Sequence, residues 1–393
     1  MDNFQFYSPT EFIFGKDTES QCGAYVKKYG GTKVLVHYGS QSAVKSGLLG
    51  RVTASLEKEG IEYVMLGGVQ PNPRDVLVYE GIELVRREKV DFIVAVGGGS
   101  VIDSAKGIAV GVPYAGDFWD MYEGKIPVQA ALPVATVLTI AAAGSEGSPS
   151  SVVTKEDGMF KRGIGSDLIR PRFSILNPML TCTLPAYQTA CGATDIMAHV
   201  FERYFTNTKE VEITDRLCEA VLQTMVKETP RVIADPNNYD ARANIMWAGM
   251  VAHNNIVGVG RSQDWNSHGL EHELSGLYDV AHGAGLAVMM PAWMEYVYHH
   301  DVMRFAQMAV RVFGLPMNFA NPEDTAVQGI RAFREFLVKI GMPINFEQLG
   351  AKAEDIPVLV EKLGIGDGVR EGFVNLDKAA VTRIYELAVE ASL

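Results

Sequence analysis

The chain has 393 residues, with 35 basic against 47 acidic side chains and a formal charge of −12. That balance argues against a nucleic-acid partner, which shows as a basic face. A composition of 47% apolar and 21% charged residues is that of a globular chain, and the length suits about two domains. The four cysteines, Cys22, Cys182, Cys191 and Cys218, form no CxxC pair and are too few for a disulfide framework. Residues 1–6 lack the basic start and apolar run of a signal peptide. The longest apolar stretch, 130–144, is interrupted by Pro133 and is shorter than the roughly 20 residues of a membrane span. A reduced, cytoplasmic protein with no membrane partner is expected.

In chain order, β-branched runs at 33–38, 63–66, 91–96 and 133–139 read as strands, the first three each leading toward glycine. Such continuous apolar strands are buried on both faces, as in a parallel sheet covered by helices. Residues 42–60 and 75–88 carry the helical spacing between them. After Pro185 the strand signals stop, and 186–205, 211–227, 241–254, 302–313, 322–340 and 377–389 read as helices. The expected division is a nucleotide-binding α/β domain over 1–184 and an all-α, metal-binding domain over 185–393, closely packed with a cleft between them.

The third strand runs into Gly97-Gly98-Gly99-Ser100, followed by Asp103 and Lys106. Glycines allow close backbone approach, and a helix starting there aims free N–H groups and its positive dipole end at an anion such as a pyrophosphate. The GxGxxG fingerprint is not matched, because Ile102 stands at its third glycine. There is no P-loop. A plain glycine-rich turn is the competing reading.

Asp195 and His199 are spaced i,i+4 on a predicted helix and share a face. His268 and His272 repeat the spacing, and His282 follows beside Gly283-Ala284-Gly285. One aspartate with two or three imidazoles suits Zn²⁺ or Fe²⁺. His37, His253, His299 and His300 read as ordinary histidines, the last two at a solvated helix end. His268-Gly269-Leu270-Glu271-His272 also matches HxxEH, the inverted zinc-peptidase pattern, with Glu271 as base and Glu295 as a further ligand. That reading leaves Asp195, His199, His282 and the glycines without a role.

The motifs together resemble the iron-containing (group III) alcohol dehydrogenases, in their NADPH-linked, butanol-dehydrogenase-like branch, over residues 5–390. They are 68–73 (GVQPNP), the GGGSxxDxAK run, Asp195-xxx-His199-xx-Glu202, and 260–291 with Asp264-Trp265-Asn266-Ser267-His268. The resemblance implies a Rossmann-like α/β N-terminal domain and an all-α C-terminal domain, the architecture shared with dehydroquinate synthase. It places one divalent metal, Fe²⁺ or Zn²⁺, on Asp195, His199, His268 and His282. It makes His272 a catalytic proton relay, and puts Gly98, Gly99, Ser100, Asp103, Thr139, Ile140, Lys161 and Asn72 at the nucleotide. It also implies a homodimer, for which the aromatic stretch 3–14 would serve as an N-terminal strand. The sequence departs from the family pattern at Ala143, where a threonine is usual, at Ser150, and at Asn177, where an aspartate is usual.

After the first strand the chain reads Tyr38-Gly39-Ser40-Gln41, without the acid that bonds the ribose hydroxyls of NAD and repels a 2′-phosphate. Gly39 gives room and Ser40 a donor, so NADP(H) is expected over NAD(H). The expected reaction is hydride transfer between NADP(H) and a small primary alcohol or aldehyde. The rivals are an NAD- and zinc-dependent lyase or cyclase, a zinc peptidase, and a non-enzymatic metal or nucleotide binder. The first would want a basic cleft, and Arg261 is the only Lys or Arg between residues 247 and 303.

Overall fold

The structure, a computed structural model, describes residues 1–39 and 41–393, Gln41 by its backbone alone. The chain forms two compact units, Tyr7–Thr183 and Leu184–Leu393, the second including Met1–Phe6.

The α/β unit runs β1 (Glu11–Phe14), α1 (Cys22–Lys28), β2 (Lys33–Tyr38), α2 (Gln41–Lys45), α3 (Leu48–Lys58), β3 (Glu62–Leu66), α4 (Asp75–Glu88), β4 (Phe92–Gly97), α5 (Gly99–Gly111), α6 (Trp119–Tyr122), β5 (Val134–Leu138), β6 (Ser150–Lys155), β7 (Phe160–Gly165) and β8 (Phe173–Leu176). The six-stranded sheet has the order β1-β8-β5-β4-β2-β3, with every pairing parallel. Strands β6 and β7 form a separate antiparallel hairpin.

Burial on both faces explains the unbroken apolar strands. On one face Val34, Val36, Phe92, Val94, Val96, Val137 and Ile175 pack on Val26 of α1 and on Val52 and Leu56 of α3. Each such side chain contributes about 1.5–3 kcal/mol on burial. The predicted helix over 42–60 is two helices, because Gly47 adopts φ +71° between them. The expected N-terminal strand over 3–14 is only Glu11–Phe14, paired with β8.

His37 is the satisfied core histidine that its setting in a strand suggests. It is fully buried, with Nδ1 2.9 Å from Leu66 O and Nε2 2.9 Å from Ser104 Oγ of α5. Burial pulls its pKa down to about 4. The unfolded chain, titrating near 6.5, therefore binds the proton first. This contribution to stability is complete above pH 6.5 and is lost as the pH falls toward 4. About 2 kcal/mol should be gone by pH 5. Urea titrations of wild type and His37→Gln at pH 7.5 and 5 should show the smaller acid-induced loss in the variant.

The second unit is helical: α7 (Ala186–Tyr204), α8 (Glu212–Ala234), α9 (Tyr239–His253), α10 (Asn266–Tyr278), α11 (His282–Val297), α12 (Val302–Phe313), α13 (Pro322–Lys339), α14 (Phe346–Leu349), α15 (Ile356–Lys362) and α16 (Lys378–Glu390). Thirteen of the 16 residues of α11 are buried, so it is a central helix that other helices surround. Gly283 lets it approach α7, since a Cβ there would lie 2.0 Å from Cys191 O. This contact brings His282, the first residue of α11, beside the Asp195 turn of α7. No helix among the described residues is long and apolar enough to cross a membrane.

Candidate metal centre and nucleotide loop

In the α/β unit the chain leaves β2 for β3 on one side and returns to β4 on the other. The carboxyl ends of β2 and β4 thus flank a topological switch point, where open α/β sheets bind ligands. Gly39 follows β2 and Gly98–Ser100 follow β4. A Cβ on Gly39 would lie 3.6 Å from Val101 Cγ2 in the first turn of α5. The first helical bonds of α5 run from Val101 N and Ile102 N to Gly98 O, at 3.0 and 3.1 Å. The amides of Gly99 and Ser100 therefore precede the bonded turn, as an anion site at a helix start requires. Ile140 sits on Gly98, where a Cβ would meet its Cγ2 at 2.1 Å. Thr139 N donates to Gly97 O at 3.0 Å. Ser40 lies outside the described residues.

The remaining expected cofactor residues are tied into the protein. Asn72 has φ +52° and precedes Pro73, whose carbonyl accepts from Thr154 N of β6 at 2.8 Å. Lys161 on β7 is buried; burial raises the Asp103 pKa, and the charges of Lys106 and Lys161 oppose that rise. Asp103 accepts from Ser145 Oγ at 2.6 Å and Val152 N at 3.0 Å, so its carboxylate anchors the segment around β6 to α5. Asn177 donates to buried Glu19 Oε2 at 2.8 Å. An aspartate there would set two carboxylates together, which accounts for that departure.

In the helical unit, ligand atoms of Asp195, His268 and His282 lie within 4.8 Å of one another. His268 Nε2 is 3.6 Å and His282 Nε2 3.8 Å from Asp195 Oδ1. Asp195 Oδ1 and His268 Nε2 are buried and make no hydrogen bond. Orphaned buried atoms of this kind are costly unless a cation lies between them, and one carboxylate with imidazoles is a donor set for Fe²⁺ or Zn²⁺. The residues present fit a metal. His199 stands next to this trio rather than within it. Its Nδ1 is 3.0 Å from Asp195 Oδ1 and 2.9 Å from Asp195 O, and its ring centroid is 4.5 Å from that of His268.

The electrostatics follow from this packing. Burial opposes ionisation of Asp195, but the facing imidazoles of His199 and His282 outweigh it and hold the carboxyl well below its usual range. Burial likewise opposes charge on His268, but Glu202 and Asp195 push its pKa up to about 10. His253 is held well below its usual range by burial and by its neighbours His199 and Arg203.

Sequence reasoning left several residues of this site without a role. Arg203 donates to His199 O at 2.7 Å, lies 2.9 Å from His253 Nδ1 and covers the Trp265 ring at 4.6 Å. Trp265 in turn packs edgewise on His199, His253 and His268. Glu202, seven residues after Asp195, lies 2.5 Å from His268 Nδ1. The helical spacing of 195, 199 and 202 was the available signal for it. His272 stands 5.6 Å from His282 between ring centroids. The zinc-peptidase arrangement does not form. Glu295 is paired with Arg334 at 2.5 Å, and Glu271 contacts His282 Nδ1 rather than an open position. His299 is solvated, as expected at the end of α11.

Known proteins resemble this chain along both parts of its length. Residues 9–178 match the family described as iron-containing alcohol dehydrogenase, and residues 189–389 the C-terminal part of the Fe-containing alcohol dehydrogenase family. A probable NADH-dependent butanol dehydrogenase 2 of Bacillus subtilis is 40% identical over 96% of both chains. The NADPH-dependent aldehyde reductase YqhD of Escherichia coli is 33% identical over 99% of this chain and 100% of its own. The crystal structure of NADH-dependent butanol dehydrogenase A from Thermotoga maritima superposes with a TM-score of 0.96 at 39% identity, covering 99% of each chain.

Proposed function

From its place in the iron-containing alcohol dehydrogenase family, to which this chain belongs, we propose that it transfers hydride reversibly between NADP(H) and a small primary alcohol or aldehyde of the butanol and butyraldehyde kind. The observation that carries this reading is the convergence of Asp195, His268 and His282, whose facing atoms Asp195 Oδ1 and His268 Nε2 are buried without a hydrogen bond. Asp195, His199, His268 and His282 are the residues that would hold the ion. Gly39, Ser40, Asn72, Gly98, Gly99, Ser100, Thr139, Ile140 and Lys161 would hold the nucleotide, with Asp103 keeping that loop in place. The ion supplies a Lewis acid that acidifies a hydroxyl or polarises a carbonyl, and the nicotinamide supplies the hydride acceptor or donor.

The chain's own residues do the rest. Asp195 sets a fixed negative charge where positive charge is to be held. Trp265 and Arg203 cover the imidazoles and limit water around them. His272, half-buried near His282, takes at a ring nitrogen the proton that an alcohol loses on oxidation and returns it on aldehyde reduction.

The cofactor preference rests on the missing acid after β2. The B. subtilis and T. maritima relatives are named NADH-dependent and the E. coli one NADPH-dependent, so the names point both ways and the proposal rests on this segment alone. The family and the edge position of β1 support a homodimer, and the four free cysteines support a reduced, cytoplasmic setting. The test follows absorbance at 340 nm with metal-loaded protein and butyraldehyde. Loss of NADPH, with kcat/KM higher than for NADH, is expected. Absence of turnover with either nucleotide would overturn the reaction, and a higher value for NADH would overturn the cofactor preference alone.

A further inference from the structure

Two of the three imidazoles facing Asp195, those of His268 and His282, have a second, buried carboxylate at the other nitrogen. His268 Nε2 faces Asp195, while its Nδ1 lies 2.5 Å from Glu202 Oε2. His282 Nε2 faces Asp195, while its Nδ1 contacts Glu271 Oε2. Glu202 and Glu271 are both 0% exposed. A nitrogen and an oxygen this close would repel through their lone pairs, so each Nδ1 carries a proton, hydrogen-bonded to Glu271 at His282 and held by the Glu202 charge, off the hydrogen-bond direction, at His268. With the proton kept on Nδ1, the Nε2 of each ring, the nitrogen turned to the metal position, is the one that offers its lone pair when a cation takes the place of any proton there.

Glu202 is itself held. Its Oε1 accepts from Ser267 Oγ at 2.5 Å and from His268 N at 2.9 Å. Its own carbonyl accepts from Asp264 N at 2.8 Å. The carboxylate therefore binds both the backbone and the ring of one residue, which fixes the ring's direction. Glu271 comes from α10, one turn after His268, and reaches the first residue of α11. The side chain passes over Gly285, where a Cβ would lie 2.7 Å from Glu271 Cγ. The site thus repeats one unit twice: a buried carboxylate, an imidazole, and the shared Asp195.

We propose that Glu202 and Glu271 are positioning residues, which select the Nε2-donating tautomer of His268 and His282 and raise the affinity of the site for a divalent cation. This rests on the reading of Asp195, His268 and His282 as ligands. The arrangement has a chemical consequence. Three carboxylates around one dication leave the centre with excess negative charge, and each Glu makes its imidazole a better donor. The contact between Glu271 and His282 Nδ1 also bears on the neighbouring group Glu271, His272 and His282. A proton between Glu271 and His282 means that this group holds no ion of its own, which leaves one metal centre among the described residues.

The test uses the full chain stripped of metal, with Zn²⁺ as the probe and a chromophoric chelator as competitor. Glu202→Gln and Glu271→Gln keep an acceptor oxygen and remove the charge. Each is expected to weaken Zn²⁺ binding about 10- to 100-fold, and to shift the visible d–d bands of the Co²⁺-substituted protein, which a merely structural role would leave in place. Wild type is expected to bind one Zn²⁺ per chain. If a Gln variant fails to fold, Ser267→Ala, which releases Glu202 Oε1 with no change of charge, should weaken binding in the same direction. Wild-type affinity and Co²⁺ bands in both Gln variants, or in Ser267→Ala when it stands in, would overturn the proposal. Two Zn²⁺ per chain would overturn it for Glu271. Asp195→Asn separates the two readings: if that variant loses the ion while the Gln variants keep it, only the positioning role fails. If Asp195→Asn binds Zn²⁺ like wild type, the ligand reading itself fails.

Discussion

Asp195→Asn is expected to purify without stoichiometric metal and to lose at least about three decades of kcat/KM with butyraldehyde. Lewis-acid stabilisation is worth several kcal/mol, and each decade of rate corresponds to about 1.4 kcal/mol. The amide keeps the shape of the side chain but removes the charge that faces His199, His268 and His282 at 3.0, 3.6 and 3.8 Å. In the wild type that charge is so favoured that the carboxyl stays ionised far below its ordinary range, despite burial. An ion placed among the same imidazoles would use the same charge. Elemental analysis and the 340 nm assay on one preparation check both halves. Metal content and turnover like those of wild type would remove Asp195 from the ligand set.

The largest loss of stability is expected at a residue outside that centre. Lys106 of α5 is fully buried, and its Nζ donates to Ser145 O at 2.7 Å, Ser145 Oγ at 2.9 Å, Ser148 O at 3.0 Å and Ser150 O at 2.8 Å. Burial draws its pKa down to about 8, so it still carries its proton at pH 7. Asp103, one turn earlier, binds Ser145 Oγ and Val152 N. Together the two side chains fasten the segment between β5 and β6 onto the helix that starts at the glycine loop. Lys106→Met has a similar length and no donor. It leaves buried carbonyls without their donor and removes the largest charge that opposes the burial of Asp103. Leaving buried acceptors unpaired costs about 1–3 kcal/mol each, which predicts a clear drop in urea midpoint and weaker nucleotide binding. An unfolding free energy within about 0.5 kcal/mol of wild type would show that the segment is held by other contacts.

These two residues illustrate how far the sequence can be read. The strands at 33–38, 91–96 and 133–139 were legible because burial on both faces removes polar residues from them. Strands β1 and β8 are four residues each, too short for any periodicity to stand out. The β6–β7 hairpin turns at Asp157-Gly158, a turn signature, but Ser150, Ser151 and Lys155 dilute its apolar run. Asp195 with His199, and His268 with His272, stood out as candidates because ionisable groups recur at i,i+4 among apolar neighbours, whereas His282 follows fourteen residues after His268 and entered only beside them. Glu202 and Glu271 were printed within the same motifs, but their roles depend on which ring nitrogen each one meets, and spacing does not carry that. Lys106 is part of the glycine-loop motif, and its acceptors are backbone carbonyls some 40 residues later. No local pattern encodes that contact.

The most direct test of the metal centre is anomalous diffraction from crystals of the protein loaded with Fe²⁺ or Zn²⁺, recorded at the absorption edge. The account predicts one peak per chain at about 2.0–2.2 Å from Asp195 Oδ1, from Nε2 of both His268 and His282, and from a ring nitrogen of His199. A peak elsewhere, or hydrogen-bonded water and protein atoms filling that position with no anomalous signal, would contradict it.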